Sequence, residues 1–413
     1  MGKNKLKRSL GFWEVFLFGI GGVVGAGIYA IIGQAAGLSG NLLWLSFVIA
    51  AVVALLTGLS YSEFVSRFPD AGGSYEYIKQ SFGPKTALYM SIFITFTGIV
   101  AAAAIAISFS EYLGRLIDFP SWLMVIAIIS LMAFFNIIGS KYSSYFNAFA
   151  TIVTLLGLAV VVGVSIPDLG STNLLETAGE GWTGIMAGGA LIFFSYIGFE
   201  DLVKMAEETK EPSKNMPKAV ISSGLAVLVI YILIAISAVS VLDWETLANS
   251  NGRLAAVIET KLGSIGATGL VVIALFATSK TILSNILGTS RMLYDVARDS
   301  EIKWLQRFTT ISGIGNAPNF AIISIAVISI GFALIGNLKV VASISNIFIF
   351  IVFGFVNISL LKFRSDQKGK EEKRPPFRIP WNINNIPVLT VLALITIIIL
   401  FGFNIFNLVQ GNT

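Results

Sequence analysis

The chain has neither cysteine nor histidine among its 413 residues. The first absence removes disulfides, thiolate metal sites and cysteine nucleophiles. The second removes any Ser/His/Asp triad and leaves proton handling to Asp, Glu, Lys or Tyr. Charge is scarce too: the four charged residue types make up 12% of the chain, half of the roughly 25% usual in soluble domains. There is no Walker-type "GKS" or "GKT" loop, so ATP drive has no support. No nucleophile–base pair is visible either, so an enzyme is not expected, and neither is a cofactor or a metal.

What is present is apolar. Hydrophobic residues are 55% of the chain, and they come in continuous blocks of about 20 residues, the length of a membrane-spanning helix. The alternation of barrel strands is absent. The expected fold is therefore an all-α polytopic membrane protein whose surroundings are the lipid bilayer. Eleven hydrophobic segments are predicted, at 12–35, 41–66, 86–115, 121–140, 145–167, 181–204, 218–242, 264–294, 318–337, 341–363 and 387–409.

Basic residues orient these segments. Lys3, Lys5, Lys7 and Arg8 precede the first, and "KFRSDQKGKEEKRPPFR" lies between the last two. With the N-terminus cytoplasmic, 23 of the 28 Lys and Arg fall on that side. Arg115, Arg253, Lys261 and Lys339 fall outside, and Lys280 lies within a segment. The expectation is a multi-pass cell-membrane protein with its N-terminus in and its C-terminus out. The net charge of +5 is then a topology signal, not a nucleic-acid patch. The basic start resembles a signal sequence, but no small-residue cleavage site follows, so it is expected to be retained. Leu6 breaks the myristoylation pattern.

Two segments are glycine-rich at mid-depth: "GIGGVVGAGIY" (Gly19 to Tyr29) in the first and "GGALIFFSYIGFE" (Gly188 to Glu200) in the sixth. Glycine inside a helix is destabilising by about 1 kcal/mol relative to alanine. Close helix packing is one explanation. The spacing offers another, because segments five apart run in opposite directions. That pattern marks two inverted five-helix repeats whose broken first helices meet at the bilayer midplane. The repeats would be 12–167 and 181–363, with 387–409 outside them, in a single transmembrane domain.

Four motifs occur in order: "GAGIY" in the first segment, "ALLTGLSYSEFVSRFPDAGGSYEYI" from the second, "FFSYIGFED" leading to "AEETKEP" around the sixth, and "FATSKTILSNILGTSRMLYDVARD" in the eighth. Through them the chain resembles the amino acid–polyamine–organocation (APC) family of amino acid permeases, with the leucine-transporter fold, over about residues 9–365. The family usually has twelve helices, so the last is expected to be missing here.

The resemblance implies a mid-membrane site for an amino acid zwitterion. The N–H groups of Gly25, Ala26 and Gly27 would bind its carboxylate, helped by the half-helix dipole. The carbonyls of Val23, Phe194 and Ile197 would accept from its ammonium. Gly198 would permit the second break, and the ring of Phe194 matches the aromatic that closes over substrate. Ser195 and Tyr196 either bind substrate or cap the freed backbone. The third segment, "ITFTGIVAAAAIAISFSEY", is uncharged until Glu111, which points to a neutral amino acid and makes Glu111 an exposed interfacial residue.

Lys280 lies 14 residues from both Gly266 and Tyr294, about 21 Å at 1.5 Å per residue, too deep for its stem to reach either interface. Sodium-coupled relatives bind their ion between the first-helix break and the eighth helix. By position, that site is formed by the carbonyls of Gly21 and Val24 together with Ala277, Lys280 and Thr281. Proton-coupled members often fill it with a lysine from the fifth helix, where this chain has Thr154. The reading is a relocated cation: Lys280 takes the sodium site, and its protonation and deprotonation couple transport. A permanently charged strut is the alternative.

The remaining charges have simpler readings. Glu14 suits the dipole of the first helix, and Glu63 with Arg67 forms a cytoplasmic-face pair. Glu200 to Pro212 forms part of an inner gate with Tyr294, Asp295, Arg298 and Asp299, and Glu200 and Asp201 lie within about a turn of the second break. The expected function is a secondary active transporter importing a neutral L-amino acid by alternating access, with the proton as coupling ion. A sodium-independent exchanger or facilitator is one alternative, and a membrane amino acid receptor without transport is another.

Overall fold

The computed structural model describes residues 8–69, 73–250, 252–311, 317–367 and 375–410. Lys3, Lys5 and Lys7, the centre of the basic run before the last segment, and Asp70 to Gly72 of the second motif lie outside them.

Fifteen helices follow in order among the described residues. The first segment is two helices, α1 (Phe12–Val23) and α2 (Ala26–Ser39). Next come α3 (Leu43–Arg67), the short α4 (Ser74–Phe82), α5 (Pro84–Leu113), α6 (Ser121–Ile138) and α7 (Ser140–Ser165). The sixth segment is α8 (Gly181–Ile192), a 3-10 turn at Phe193–Tyr196, then α9 (Phe199–Leu202) and a further 3-10 stretch to Glu208. The chain continues through α10 (Pro212–Val241), α11 (Trp244–Asn249), α12 (Arg253–Asp299), α13 (Asn319–Ala333), α14 (Leu338–Asp366) and α15 (Val388–Gln410). A hairpin of two-residue strands at Asn382–Pro387 precedes α15.

Nine stretches among the described residues are long and apolar enough to cross a membrane, and α1 and α13 are shorter apolar helices. The protein is an all-α, multi-pass membrane protein. The predicted segments overlap helix, with interruptions in the first and sixth, and α4, α11 and the hairpin are additions.

Local chemistry sets the helix boundaries. Gly83 (φ +87°) followed by Pro84 starts α5, which suits a residue without an N–H at the first helical position. The Asp243 side chain accepts from the Thr246 N–H at 2.8 Å and caps α11, and Asn337 does the same for α14 through Val340 at 3.1 Å. At Gly263, φ is +66° and kinks α12 between its first turns and its long span. Glu14 accepts from the Gly11 N–H at 3.0 Å at the start of α1.

One helix, α5, brings a run of small side chains to the core of the bundle. Ala101 to Ala104 of α5 are all buried, and α5 packs along α12 and α14 while α3 packs along α10. Helices without lipid between them approach closely only where side chains are small. Both broken segments lie inside this bundle, where unwound backbone is shielded from the hydrocarbon.

Candidate functional site

The break in the first segment spans Val24 and Gly25. Val24 turns out of helical geometry (ψ 79°), and Gly25 is extended (φ −117°, ψ −144°). In the sixth segment Ile197 is extended and Gly198 has φ +123°, a conformation that favours glycine. The two breaks touch. A Cβ on Gly198 would lie 2.8 Å from the Gly22 carbonyl oxygen, and one on Gly27 would lie 2.7 Å from Ser195 Cα. Two glycines therefore let two stretches of naked backbone meet.

The polar groups of this junction have specific partners. The Tyr231 hydroxyl of α10 lies 3.0 Å from the Val23 carbonyl oxygen and 2.9 Å from that of Ser195, bridging both breaks. The Gly25 N–H donates to the Val23 carbonyl at 2.8 Å, and the Ala26 N–H donates to the Thr281 hydroxyl at 3.1 Å. Thr281 in turn donates to the Ala277 carbonyl at 2.8 Å. The Phe194 carbonyl accepts from the Ile197 N–H at 3.4 Å. Of the three N–H groups predicted for a carboxylate, Gly25 and Ala26 are thus engaged within the protein, and Gly27 leads into the first turn of α2. Phe194 and Ser195 are buried, and the Ser195 hydroxyl has no hydrogen-bond partner among the described residues. Tyr196 donates to the Phe47 carbonyl at 3.1 Å and so braces the turn.

Lys280 is 3% exposed. Its ammonium donates to the Gly21 carbonyl at 2.9 Å, the Val24 carbonyl at 3.3 Å and the Thr151 hydroxyl at 2.8 Å. All three acceptors are neutral, and no carboxylate pairs with it among the described residues. The carbonyls that end α1 therefore direct their negative dipole ends at a buried cation.

The structure brings together Lys280, Gly21, Val24, Ala277 and Thr281, but not Thr154. The Thr154 hydroxyl folds back on the Ala150 carbonyl at 2.6 Å, while its own carbonyl accepts from Tyr29 at 3.0 Å. Thr151, nearly one turn earlier on α7, takes the place beside the ammonium.

Three other charge readings change. Glu63 is fully buried, not at a surface: besides Arg67 at 2.9 Å it binds the buried Arg364 and accepts from the Ile379 N–H at 2.9 Å. Glu111 is not an isolated interfacial residue, because it pairs with the buried Arg253. Asp299 pairs with Lys79 of α4 at 2.9 Å, not with the segment after α9. That hydrogen bond raises the Lys79 ammonium above its ordinary value. Its contribution is therefore complete at neutral pH and is lost only as pH rises past the lysine range. At the end of α12 Arg298 pairs with Asp295 at 3.1 Å, and in the segment after α9 Lys204 pairs with Asp201 of α9. The backbone of that segment is tied to the start of α1: Ser9 and Leu10 donate to the Glu208 carbonyl, and Lys210 donates to that of Leu10.

Tyr231 escapes the sequence reading, and Arg253 enters it only as one of the basic residues on the outer side, without its partner Glu111. Tyr231 is the one hydroxyl-bearing aromatic in the long apolar run of α10, and that signal could have found it.

The family model described as amino acid permease matches residues 10–413. The chain belongs to the amino acid permease family. Cationic amino acid transporter 8, vacuolar, of Arabidopsis thaliana is 27% identical, with 87% of this chain and 63% of that protein covered. Cationic amino acid transporter 1 of the same plant is 27% identical, covering 90% and 65%. The branched-chain amino acid permease BcaP of Bacillus subtilis is 27% identical, covering 72% and 69%. The chain thus spans just under two thirds of the length of the two plant relatives. The relatives' names describe transporters and permeases, not enzymes.

Proposed function

We propose that the protein moves a neutral amino acid across the membrane by alternating access, with Lys280 as the coupling cation. Family membership and relatives named as amino acid carriers support the substrate class. Breaks five segments apart support two inverted repeats, 12–167 and 181–363, with α15 outside them. The zwitterion would lie where the breaks meet, its carboxylate at the first turn of α2 and its ammonium at the carbonyls now shared with Tyr231. The unpartnered Ser195 hydroxyl and the ring of Phe194 would complete the contact. Glu111, the one carboxylate of the third segment, is committed to Arg253, which favours a neutral side chain over the cationic ones in the plant relatives' names.

The observation that carries the coupling is the Lys280 ammonium on the Gly21 and Val24 carbonyls and Thr151. A charge bridging α12, α7 and the end of α1 holds the inner half-helix in place. An ammonium can release its proton, as a guanidinium cannot, and release would free that half-helix. The excess of basic residues on one side supports a cytoplasmic N-terminus, and with a proton gradient directed inward the coupled movement would be import. The same neutral acceptors also favour a second reading, a permanently charged strut in an exchanger or facilitator.

The test is uptake into proteoliposomes of whichever amino acid most raises the thermal stability of the pure protein. An imposed pH gradient should accelerate uptake by the wild type and not by Lys280→Gln or Lys280→Met. If the variants keep the full gradient response, coupling through Lys280 is wrong. Uptake that requires amino acid trapped inside would favour the exchanger.

A further inference from the structure

The hairpin before α15 has two unlike faces. Its turn residues, Asn384 and Asn385, have φ of +48° and +73°, the left-handed pair that suits a two-residue hairpin turn. The register sets Asn382 opposite Pro387 and Ile383 opposite Ile386, so the two pairs point to opposite sides. The first pair faces the protein. Pro387 is buried, and Asn382 accepts from Arg364 while donating to the Ile379 carbonyl at 2.7 Å. Asn385 donates to the Arg364 carbonyl at 2.8 Å and accepts from Arg378. Just before the hairpin, the Ile379 N–H donates to Glu63 at 2.9 Å and the Phe377 N–H to Ser66 at 3.0 Å. The hairpin is thus fastened to the buried Glu63–Arg364 pair.

The second pair has no cover among the described residues. Ile383 is 66% exposed and Ile386 52%, and Trp381, two residues earlier, is 73% exposed. Exposed apolar side chains gathered on a firmly held turn mark a contact surface. Two observations identify what meets it. The membrane-spanning α15 begins at Val388, directly after the hairpin, and its Ile395 and Ile398 are exposed as lipid-facing residues are. The apolar face of the hairpin therefore continues the lipid-facing surface of α15 at the level where that span leaves the hydrocarbon, and tryptophan concentrates at that level. The second observation is charge. Besides Arg364, the connection from Lys362 to Arg378 contains six basic and three acidic residues, and basic sequence beside a span attracts anionic headgroups.

We propose that the hairpin is a membrane-surface anchor, with Trp381, Ile383 and Ile386 seated at the boundary between headgroups and acyl chains and the basic connection on anionic lipid. Anionic lipid bound there holds the Glu63–Arg364 scaffold from outside the bundle, because the inner face of the same hairpin supplies partners to Arg364. Lipid that binds the folded chain in this way stabilises it by mass action. The proposal uses the membrane-spanning fold alone and is independent of the substrate, the direction of transport and Lys280.

The lack of cysteine in the sequence makes this directly measurable. In the full chain, Ile383→Cys is labelled with an environment-sensitive nitrobenzoxadiazole dye. It is placed in nanodiscs of phosphatidylcholine with or without phosphatidylglycerol. A Ser171→Cys variant, on an exposed loop, is the reference. At position 383 the emission should be blue-shifted, quenching by aqueous acrylamide severalfold weaker than at 171, and quenching by lipids brominated high on the acyl chain severalfold stronger. Phosphatidylglycerol should enlarge all three differences and raise the thermal unfolding midpoint of the wild type. The double variant Trp381→Ser with Ile383→Ser should lose most of that rise. Equal emission and quenching at 383 and 171 overturn the anchor. So does shielding that ignores brominated lipid and appears only in discs holding two copies, since a second copy would then cover the face. Identical behaviour with and without phosphatidylglycerol overturns the role of anionic lipid.

Discussion

Lys280 and Arg364 are both buried cations inside the bundle, at 3% and 2% exposure, yet they are held in opposite ways. Arg364 is saturated. Its Nε donates to Glu63 at 2.8 Å, a second nitrogen binds the same carboxylate, and the third reaches Asn382 and the Asn385 carbonyl at 3.3 Å. Lys280 has three neutral oxygens and no counter-charge. A guanidinium with its carboxylate is fixed in one state, because removing either member leaves an uncompensated charge. An ammonium on carbonyl dipoles can lose its proton and leave behind only neutral groups. The first arrangement locks α3, α14 and the hairpin before α15 into a scaffold, and the second holds the end of α1 conditionally. The difference lies in the partner rather than in the depth of burial.

Five substitutions test these contacts. The largest effect is expected from Glu63→Ala, which strands Arg364 and should destabilise the fold by about 3–5 kcal/mol. It would be read as a fall in the thermal unfolding midpoint in detergent, or as loss of monodisperse protein. Next is Gly198→Ala. A Cβ at φ +123° pressed on the Gly22 carbonyl adds strain of about 1–3 kcal/mol, and uptake should drop at least tenfold while the scaffold melts nearly as before.

Lys280→Arg sharpens the contrast most, since it keeps the charge but cannot release a proton. Substrate should still raise the thermal midpoint, and the response of uptake to a pH gradient should vanish. Tyr231→Phe removes the hydroxyl that bridges Val23 and Ser195, a loss of about 0.5–1.5 kcal/mol. It should appear as a severalfold change in half-saturation for uptake. The smallest effect belongs to Lys79→Gln, which deletes a pair with both side chains partly exposed. About 0.2–1 kcal/mol is expected, and the difference from wild type should shrink further in high salt.

The parts legible from the sequence were those with a local signature. Glycines gathered inside an apolar run marked both breaks, because each is unfavourable in an unbroken helix. Lys280 was conspicuous because an ammonium at mid-span needs a reason within its own segment. Partnerships across the fold left no such mark. Glu63 read as half of a surface pair with Arg67, since its i+4 neighbour was visible and Arg364, 301 residues away, was not. Glu111 failed in the same way, its partner lying 142 residues on. Thr154 and Thr151 sit three apart on one helix face, so sequence position alone could not decide which hydroxyl meets Lys280. Tyr231 is inconspicuous in the sequence because a tyrosine in an apolar helix has ordinary uses in packing, and only the meeting of the two breaks around its hydroxyl gives it a role.

Counting protons alongside substrate is the most direct test of whether Lys280 moves one. In proteoliposomes loaded with a pH-sensitive dye, amino acid entry through the wild type should acidify the interior in fixed proportion to the substrate accumulated. Through Lys280→Met, any residual substrate movement should leave the dye unchanged. An equal acidification per substrate in that variant, or none in the wild type, would contradict a coupling role for this ammonium.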